Sequence, residues 1–256
     1  MNLNTNAEIT WCPGCGNFGI LIAIKNAINE LIGEGIKKEN MVIASGIGCH
    51  AKIVDYVNVN SFYSIHGRVP PTLTGMKLAN KKLVAIGFAG DGDMYDEGIS
   101  HLIHAAKRNT DITMIIHDNR VFALTTGQFT ATSPKGFKGK STPKGSIENP
   151  INPIKLMLAA GATFVARGYA GKPDHLKELI KKAVRHKGFS FVEVLQPCVT
   201  FNNTYQEYNR KVYDLNAEGH DTSSFELAMK KANEWKEKIP IGVFYETQKQ
   251  VFEENY

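Results

Sequence analysis

Gly90-Asp91-Gly92-Asp93 stands between an apolar run, Lys82–Phe88, and a stretch of helical pattern, Asp96–Arg108. The glycines allow a tight turn and close backbone approach, and a helix that follows presents free N–H groups to an anion. Asp91 adds a hard oxygen. Twenty-six residues separate Gly92 from Asn119, in Asp118-Asn119-Arg120-Val121. That interval holds one helix and one strand, so Asn119 returns to the same edge of a sheet. A carboxylate, an amide oxygen and a backbone carbonyl suit Mg²⁺, which shares its octahedron with phosphate oxygens and water. A lone Gly-Asp-Gly is as well explained by a turn. The Asp-Asn after the next strand tips the balance toward a metal and phosphate site.

The cysteines form the second constellation. Cys12-Pro13-Gly14-Cys15 is a C-x-x-C, and Cys49 and Cys198 stand alone. Four thiols make one complete set for an iron–sulfur cluster. Zinc is the rival metal, although structural zinc sites usually show two close pairs and here there is one. A thioredoxin-like redox motif is a second rival, but it needs a buried strand before it, and Met1–Thr10 is a poor strand. A third is dinucleotide binding through Gly46-Ile47-Gly48-Cys49-His50-Ala51. The next stretch, Ile53–Val59, is a weak helix, and His66 stands where an acidic residue is needed.

These residues need a scaffold. Apolar spacing predicts a helix from Phe18 to Gly33, and Met41–Ser45 reads as a buried strand entering a Gly-rich loop. Further strands are expected at Ser61–Ile65, Lys82–Phe88, Ile112–His117, Thr163–Ala166 and Phe189–Leu195. Helices are expected at Thr72–Ala79, Asp96–Arg108, Pro153–Ala160, Pro173–His186 and Ser223–Lys238. Phe129–Pro150 has no periodicity, and a loop that long is usually functional or mobile. Alternating strands and helices predict an α/β fold, a doubly wound, mostly parallel sheet covered on both faces. Ligands of such sheets bind at the carboxyl ends of the strands. The loops 46–52, 90–93 and 118–128 are therefore expected to meet.

The composition is ordinary for a globular protein: 256 residues, 43% hydrophobic, 21% charged and 9% aromatic. One large domain is favoured, and disordered or collagen-like classes are excluded. The net charge of +5 is spread along the chain, which argues against nucleic acid. The densest basic stretch, Lys135, Lys138, Lys140 and Lys144, reads as a solvated loop or as a docking surface for an acidic partner. Met1–Thr10 has no signal-peptide pattern and no apolar run is long enough to span a membrane. A cytoplasmic protein is expected, with cysteines acting as ligands or redox groups rather than in disulfides.

The Gly-Asp-Gly to Asn spacing resembles the thiamine-diphosphate motif. The chain as a whole resembles the β subunit of 2-oxoacid:ferredoxin oxidoreductases. The stretches that carry this are Trp11–Asn17, Ser45–Cys49, His66-Gly67-Arg68, Gly90–Asp93, Arg108-Asn109, His117–Asn119, Leu124-Thr125 with Gly127-Gln128, Asn152-Pro153, Phe164–Tyr169, His186–Gly188, Leu195–Cys198 and Ile239–Tyr245. The resemblance implies a 4Fe–4S cluster on Cys12, Cys15, Cys49 and Cys198. It implies Mg²⁺ on Asp91, Asn119 and the Val121 carbonyl. Thiamine diphosphate would be contacted by Ile47, Gly48, Cys49, His50, His66, Gly92, Asp93, Ala123 and Leu124. Lys52 would lie beside the reacting carbon and stabilise developing negative charge on the substrate.

The implied activity is coenzyme A-dependent oxidative decarboxylation of a 2-oxoacid, with ferredoxin as acceptor and an α or fused γ–α subunit as partner. Residues 1–200 would form the cofactor domain and 201–256 an extension packed on it or on the partner. Two departures stand out. Phe122-Ala123 replaces a usual Tyr-Gly. Thr126 stands where relatives acting on 2-oxoglutarate often carry Lys, which leans the substrate toward pyruvate or a broad range. The alternative is a zinc-stabilised or thiol-redox scaffold without thiamine chemistry.

Overall fold

A computed structural model describes residues 2–256. In chain order the elements are α1 (Asn17–Gly33), β1 (Met41–Ser45), α2 (Ile53–Tyr56), β2 (Asn60–Tyr63), α3 (Val69–Ala79), β3 (Val84–Gly90), α4 (Ile99–Arg108), β4 (Thr113–Asp118), α5 (Pro153–Ala159), β5 (Phe164–Tyr169), α6 (Pro173–Arg185), β6 (Ser190–Leu195), α7 (Tyr205–Lys211), β7 (Val212–Asp214), α8 (Phe225–Lys231) and β8 (Ile239–Glu246). They build an eight-stranded sheet in the order β2-β1-β3-β4-β6-β5-β8-β7. Neighbours run parallel except β8, which lies antiparallel to β5. This is the α/β, mostly parallel sheet that the alternation of elements predicts.

The central strands read as unbroken apolar runs because both faces are covered. Ile43, Ile86, Ile115 and Val192 point to one side, where they pack with Ile24, Ile28 and Leu31 of α1 and Leu176 and Ile180 of α6. Val42, Ala85, Met114 and Phe191 point to the other, where they meet Leu73 of α3, Leu102 of α4 and Met157 of α5. Among the described residues, no helix is long and apolar enough to cross a membrane.

Several boundaries differ from the sequence expectation. The helix expected from Asp96 starts at Ile99, because Gly92–Glu97 winds as a π-helical turn. Such wide turns commonly serve functional sites. Helix α3 takes Pro70 and Pro71 into its first turn, where a missing N–H costs nothing, and so begins three residues before Thr72. The helix expected over Ser223–Lys238 is confined to Phe225–Lys231, capped by the Ser224 hydroxyl, which accepts from Leu227 N–H at 3.2 Å. Helix α7 and strands β7 and β8 were not expected from the pattern. Strand β8 is buried on both faces over Ile239–Phe244, so it lacks the polar alternation that marks a strand.

Candidate functional site

Strands β1, β3, β4 and β6 are consecutive neighbours and parallel, so their carboxyl ends share one edge. The three loops expected to meet there do so. A cleft of about 410 Å³ is lined by Ile47, Gly48, Cys49 and His50 after β1, and by Asp91, Gly92 and Asp93 after β3. Asn119, Val121, Ala123 and Leu124 after β4 complete it, with His66 from the segment between β2 and α3. Every residue proposed for the metal ion and the diphosphate cofactor therefore lines one cleft. Arg68, two residues after His66, lies outside the cleft and is exposed at the start of α3.

The cleft is built for close backbone approach. Gly48 has φ +146°, which a side chain would strain, and a Cβ there would meet the His50 ring at 2.9 Å. A Cβ on Gly92 would come within 2.3 Å of the Phe122 ring, so the Phe at this position presses directly on the backbone of the Gly90–Asp93 loop.

Asp91 is 2% exposed, and among the described residues no cationic side chain pairs with it. Burial pushes its carboxyl up to about 6, against the lowering effect of two hydroxyls. Thr130 Oγ1 donates to Asp91 Oδ2 at 2.6 Å, and Thr132 Oγ1 lies 3.0 Å from the same oxygen. Thr132 Oγ1 is also 2.8 Å from Asp118 Oδ1. Burial and the neighbouring Asp91 and Glu193 charges push the Asp118 carboxyl well above its ordinary value. Asn119 Oδ1 accepts only the Val121 N–H, at 3.0 Å, in a local turn that brings Asn119 and Val121 to the cleft together.

Asp93 plays a different part. Its carboxylate accepts from Gly67 N–H at 2.9 Å and, more weakly, from Ile47 N–H at 3.4 Å. His66 Nδ1 stands at 2.7 Å and His50 Nε2 at 3.4 Å. Burial would raise Asp93, but His50, His66 and the Gly67 N–H outweigh it and hold the carboxyl well below its ordinary range. The adjacent Asp93 carboxylate in turn raises His66. These ion-pair distances are short, yet the atoms are out of line for hydrogen bonds. His50 Nε2, His66 Nδ1 and Asp93 Oδ2 are left buried without an aligned partner. Buried polar groups of this kind call for a further partner in the cleft.

A second cavity, of about 760 Å³, abuts the first and shares Cys49, Asn119, Ala123 and Leu124 with it. Its lining includes all four cysteines and Lys52. Lys52 therefore belongs to the cysteine cavity rather than to the phosphate cleft, and its Nζ donates to Thr10 Oγ1 at 2.6 Å. None of the thiols is in a disulfide. Burial, with the other three cysteines nearby, raises Cys15 to about 11, and burial also raises Cys49. Trp11 braces the first pair: its indole N–H donates to the Cys49 carbonyl at 2.6 Å.

Some participants escaped the sequence reading. Gln196 joins the two cavities, since its Oε1 accepts from Asn119 Nδ2 at 3.1 Å and its Nε2 points to Cys15 Sγ at 3.6 Å. Its place two residues before Cys198 was the available signal. Thr130 and Thr132 lie at the start of the aperiodic loop and carried none. Buried Asn17 and His117 pair at 2.8 Å behind the cleft, and burial, with His50 nearby, pushes His117 well below its ordinary value.

The donors suit the groups in question. An unpaired buried carboxylate, an amide oxygen and glycine backbone fit Mg²⁺ with a diphosphate. No three His, Cys, Asp or Glu side chains among the described residues converge closely enough for a single ion. Zinc thiolates must meet at about 2.3 Å from one centre. A four-iron cage takes one thiolate per iron and so accepts a wider set.

The fold and the phosphate cleft define a thiamine diphosphate-binding domain. Residues 46–194 match the family described as thiamine pyrophosphate enzyme, C-terminal TPP binding domain. Residues 198–256 match the C-terminal family of the pyruvate ferredoxin oxidoreductase beta subunit. The chain is 43% identical to subunit beta of 2-oxoacid:ferredoxin oxidoreductase 1 of Aeropyrum pernix, over 92% of this chain and 77% of the relative. It is 36% identical to 2-oxoglutarate synthase subunit KorB of Methanocaldococcus jannaschii, over 95% and 90%. A 2-oxoglutarate:ferredoxin oxidoreductase from Magnetococcus marinus superposes with a TM-score of 0.94 at 38% identity, covering 99% of this chain and 86% of that one. The chain belongs to the β subunits of the 2-oxoacid:ferredoxin oxidoreductases.

Proposed function

We propose that this subunit holds thiamine diphosphate with Mg²⁺ and a 4Fe–4S cluster, and with an α or fused γ–α partner oxidises a 2-oxoacid to its acyl-coenzyme A. The observation that carries this is the shared wall of the two cavities. Cys49, Asn119, Ala123 and Leu124 belong to both. Thiamine diphosphate supplies the nucleophilic carbanion and electron sink for decarboxylation, and the cluster takes single electrons.

The residues have separate duties. Asp91, Asn119 and the Val121 carbonyl would hold Mg²⁺. His50, His66, Gly92 and Asp93 would seat the diphosphate cofactor, with Ile47, Gly48, Ala123 and Leu124 as its walls. Cys12, Cys15, Cys49 and Cys198 would hold the cluster. Lys52, in the wall of the cysteine cavity, would offer positive charge where negative charge develops on the substrate. Ile47, Ile65, Leu124 and Phe201 are exposed apolar side chains on or beside the cavity linings, as expected of a face that a partner covers.

Thr126 lines the cysteine cavity and has a neutral side chain. It offers no countercharge to a distal carboxylate, so pyruvate or a broad range of 2-oxoacids is favoured over 2-oxoglutarate. The 2-oxoglutarate enzymes among the relatives make this the point a substrate panel must decide.

The first test is anaerobic metal analysis of the subunit purified with its partner. About four iron and four sulfide per chain in brown protein is the expected result. Colourless protein containing zinc would overturn the electron-transfer role and favour the scaffold alternative. In the brown protein, Asn119→Ala should lose thiamine diphosphate while keeping iron.

A further inference from the structure

The long loop after β4 is not shapeless. Gly136 N–H donates to the Ser146 carbonyl at 2.8 Å, and Ser146 N–H returns to the Phe137 carbonyl at 2.9 Å. Thr142 N–H donates to the Gly139 carbonyl at 3.1 Å across the tip. The Ser146 hydroxyl donates to the Pro134 carbonyl at 3.1 Å and accepts from Phe137 N–H at 3.1 Å, which closes the base. The result is a hairpin-like platform over residues 134–147.

Its place is set by contact with the cysteine cavity. Gly139 lies so close to the Gly127 carbonyl that a Cβ would come within 2.5 Å of it. A Cβ on Gly127 would in turn meet the Phe201 ring at 2.7 Å. Phe201 lines the cavity together with Cys12 and Cys198. The platform therefore leans on the rim of the thiol site.

Its charge has no counterpart. Lys135, Lys138, Lys140 and Lys144 are exposed, and none is in an ion pair among the described residues. Several basic residues on the helices are paired. Lys177 and Lys181 reach Glu30, Arg185 reaches Glu34, and Lys211 reaches Glu207. Ile147 stands 85% exposed beside the four lysines. Charge around an apolar point is the anatomy of a small, transient docking patch.

We propose that this lysine platform docks the electron acceptor, a small acidic iron–sulfur protein, against the cysteine end of the subunit. The proposal rests on the cluster reading above. Oxidation of one 2-oxoacid with coenzyme A yields acyl-coenzyme A, CO₂, one proton and two electrons. A one-electron carrier must therefore dock twice per turnover, and each docking is accelerated by the unpaired positive charge.

The test uses the assembled complex with its partner subunit, bearing Lys135→Gln, Lys138→Gln, Lys140→Gln and Lys144→Gln together. Ferredoxin affinity is measured by calorimetry, and turnover is followed with ferredoxin and with methyl viologen. At low ionic strength kcat/KM for ferredoxin should fall about tenfold or more, and its Kd should rise in parallel. The gap between variant and wild type should close as salt is added. Viologen-linked turnover, iron content and complex size should stay as in wild type. Unchanged ferredoxin affinity and kinetics would overturn the proposal. So would a raised KM for coenzyme A with ferredoxin kinetics intact, which would put the lysines on the coenzyme's phosphates. Equal losses with both acceptors would overturn it too, since the lysines would then serve assembly. A wild-type complex without iron or viologen-linked turnover would instead sink the cluster reading itself.

Discussion

Asp91 is the residue on which the cleft turns. Burial pushes its carboxyl up to about 6, whereas Asp93, two residues on, is held low by His50, His66 and the Gly67 N–H. As the proposed Mg²⁺ ligand, Asp91 would hold the metal as the ionised carboxylate, so a proton would compete with it below about pH 6. At saturating thiamine diphosphate, Mg²⁺ affinity should weaken by about tenfold per unit below pH 6. Asp93 stays ionised throughout and adds nothing to that slope. Titration calorimetry from pH 5 to 8 checks this, and a flat profile would remove Asp91 from the metal's ligands. The Asp91 and Asn119 pair was legible in the sequence because the spacing of one helix and one strand is fixed by the fold. Thr130 and Thr132 were not, since side-chain hydrogen bonds across a loop leave no periodic trace.

Between elements, single buried polar side chains lock the architecture. Asn109 ends α4 in the left-handed conformation, φ 54°, where Asn is tolerated. Its Oδ1 accepts from Thr163 Oγ1 at 2.7 Å and Phe189 N–H at 2.8 Å. Its Nδ2 donates to the Lys249 and Gln250 carbonyls. Asn109→Gly keeps the turn but strands those partners, at a cost of about 2–4 kcal/mol. Asn109→Ala should cost about 1 kcal/mol more through backbone strain. Urea titration should give the order wild type, Gly, Ala. Arg167 of β5 and Glu193 of β6 face each other in register and pair at 2.7 Å with no exposure. Glu193→Ala leaves a buried guanidinium uncompensated and should cost about 3–5 kcal/mol. A loss below about 1 kcal/mol would mean that water or Pro240 substitutes for the carboxylate.

For the whole molecule, the site edge is an open face. Ile65 is 69% exposed one residue before His66, outside the cofactor lining. Ile65→Asp should weaken assembly with the partner subunit on a sizing column while leaving cluster iron unchanged. The isolated chain should show no 2-oxoacid turnover, and addition of the partner should restore it. Turnover by the chain alone would contradict the shared-site reading.

What the sequence by itself determined was the set of chemical residue types at the sheet edge and the order of most elements as far as β6. Gly90–Asp93, Asn119 and the cysteines are chemical types at spacings set by one turn, one helix and one strand, and continuous apolar runs mark strands covered on both faces. Only the tertiary structure decided that the two constellations share a wall, because Cys12, Cys49 and Cys198 are brought together by strand order, β1 beside β3, β4 and β6. Only it decided that Lys52 sits with the thiols, that β8 closes onto β5 in reverse, and that the lysine loop is a braced platform. Those outcomes depend on contacts between residues far apart in the chain, and local pattern carries no information about them.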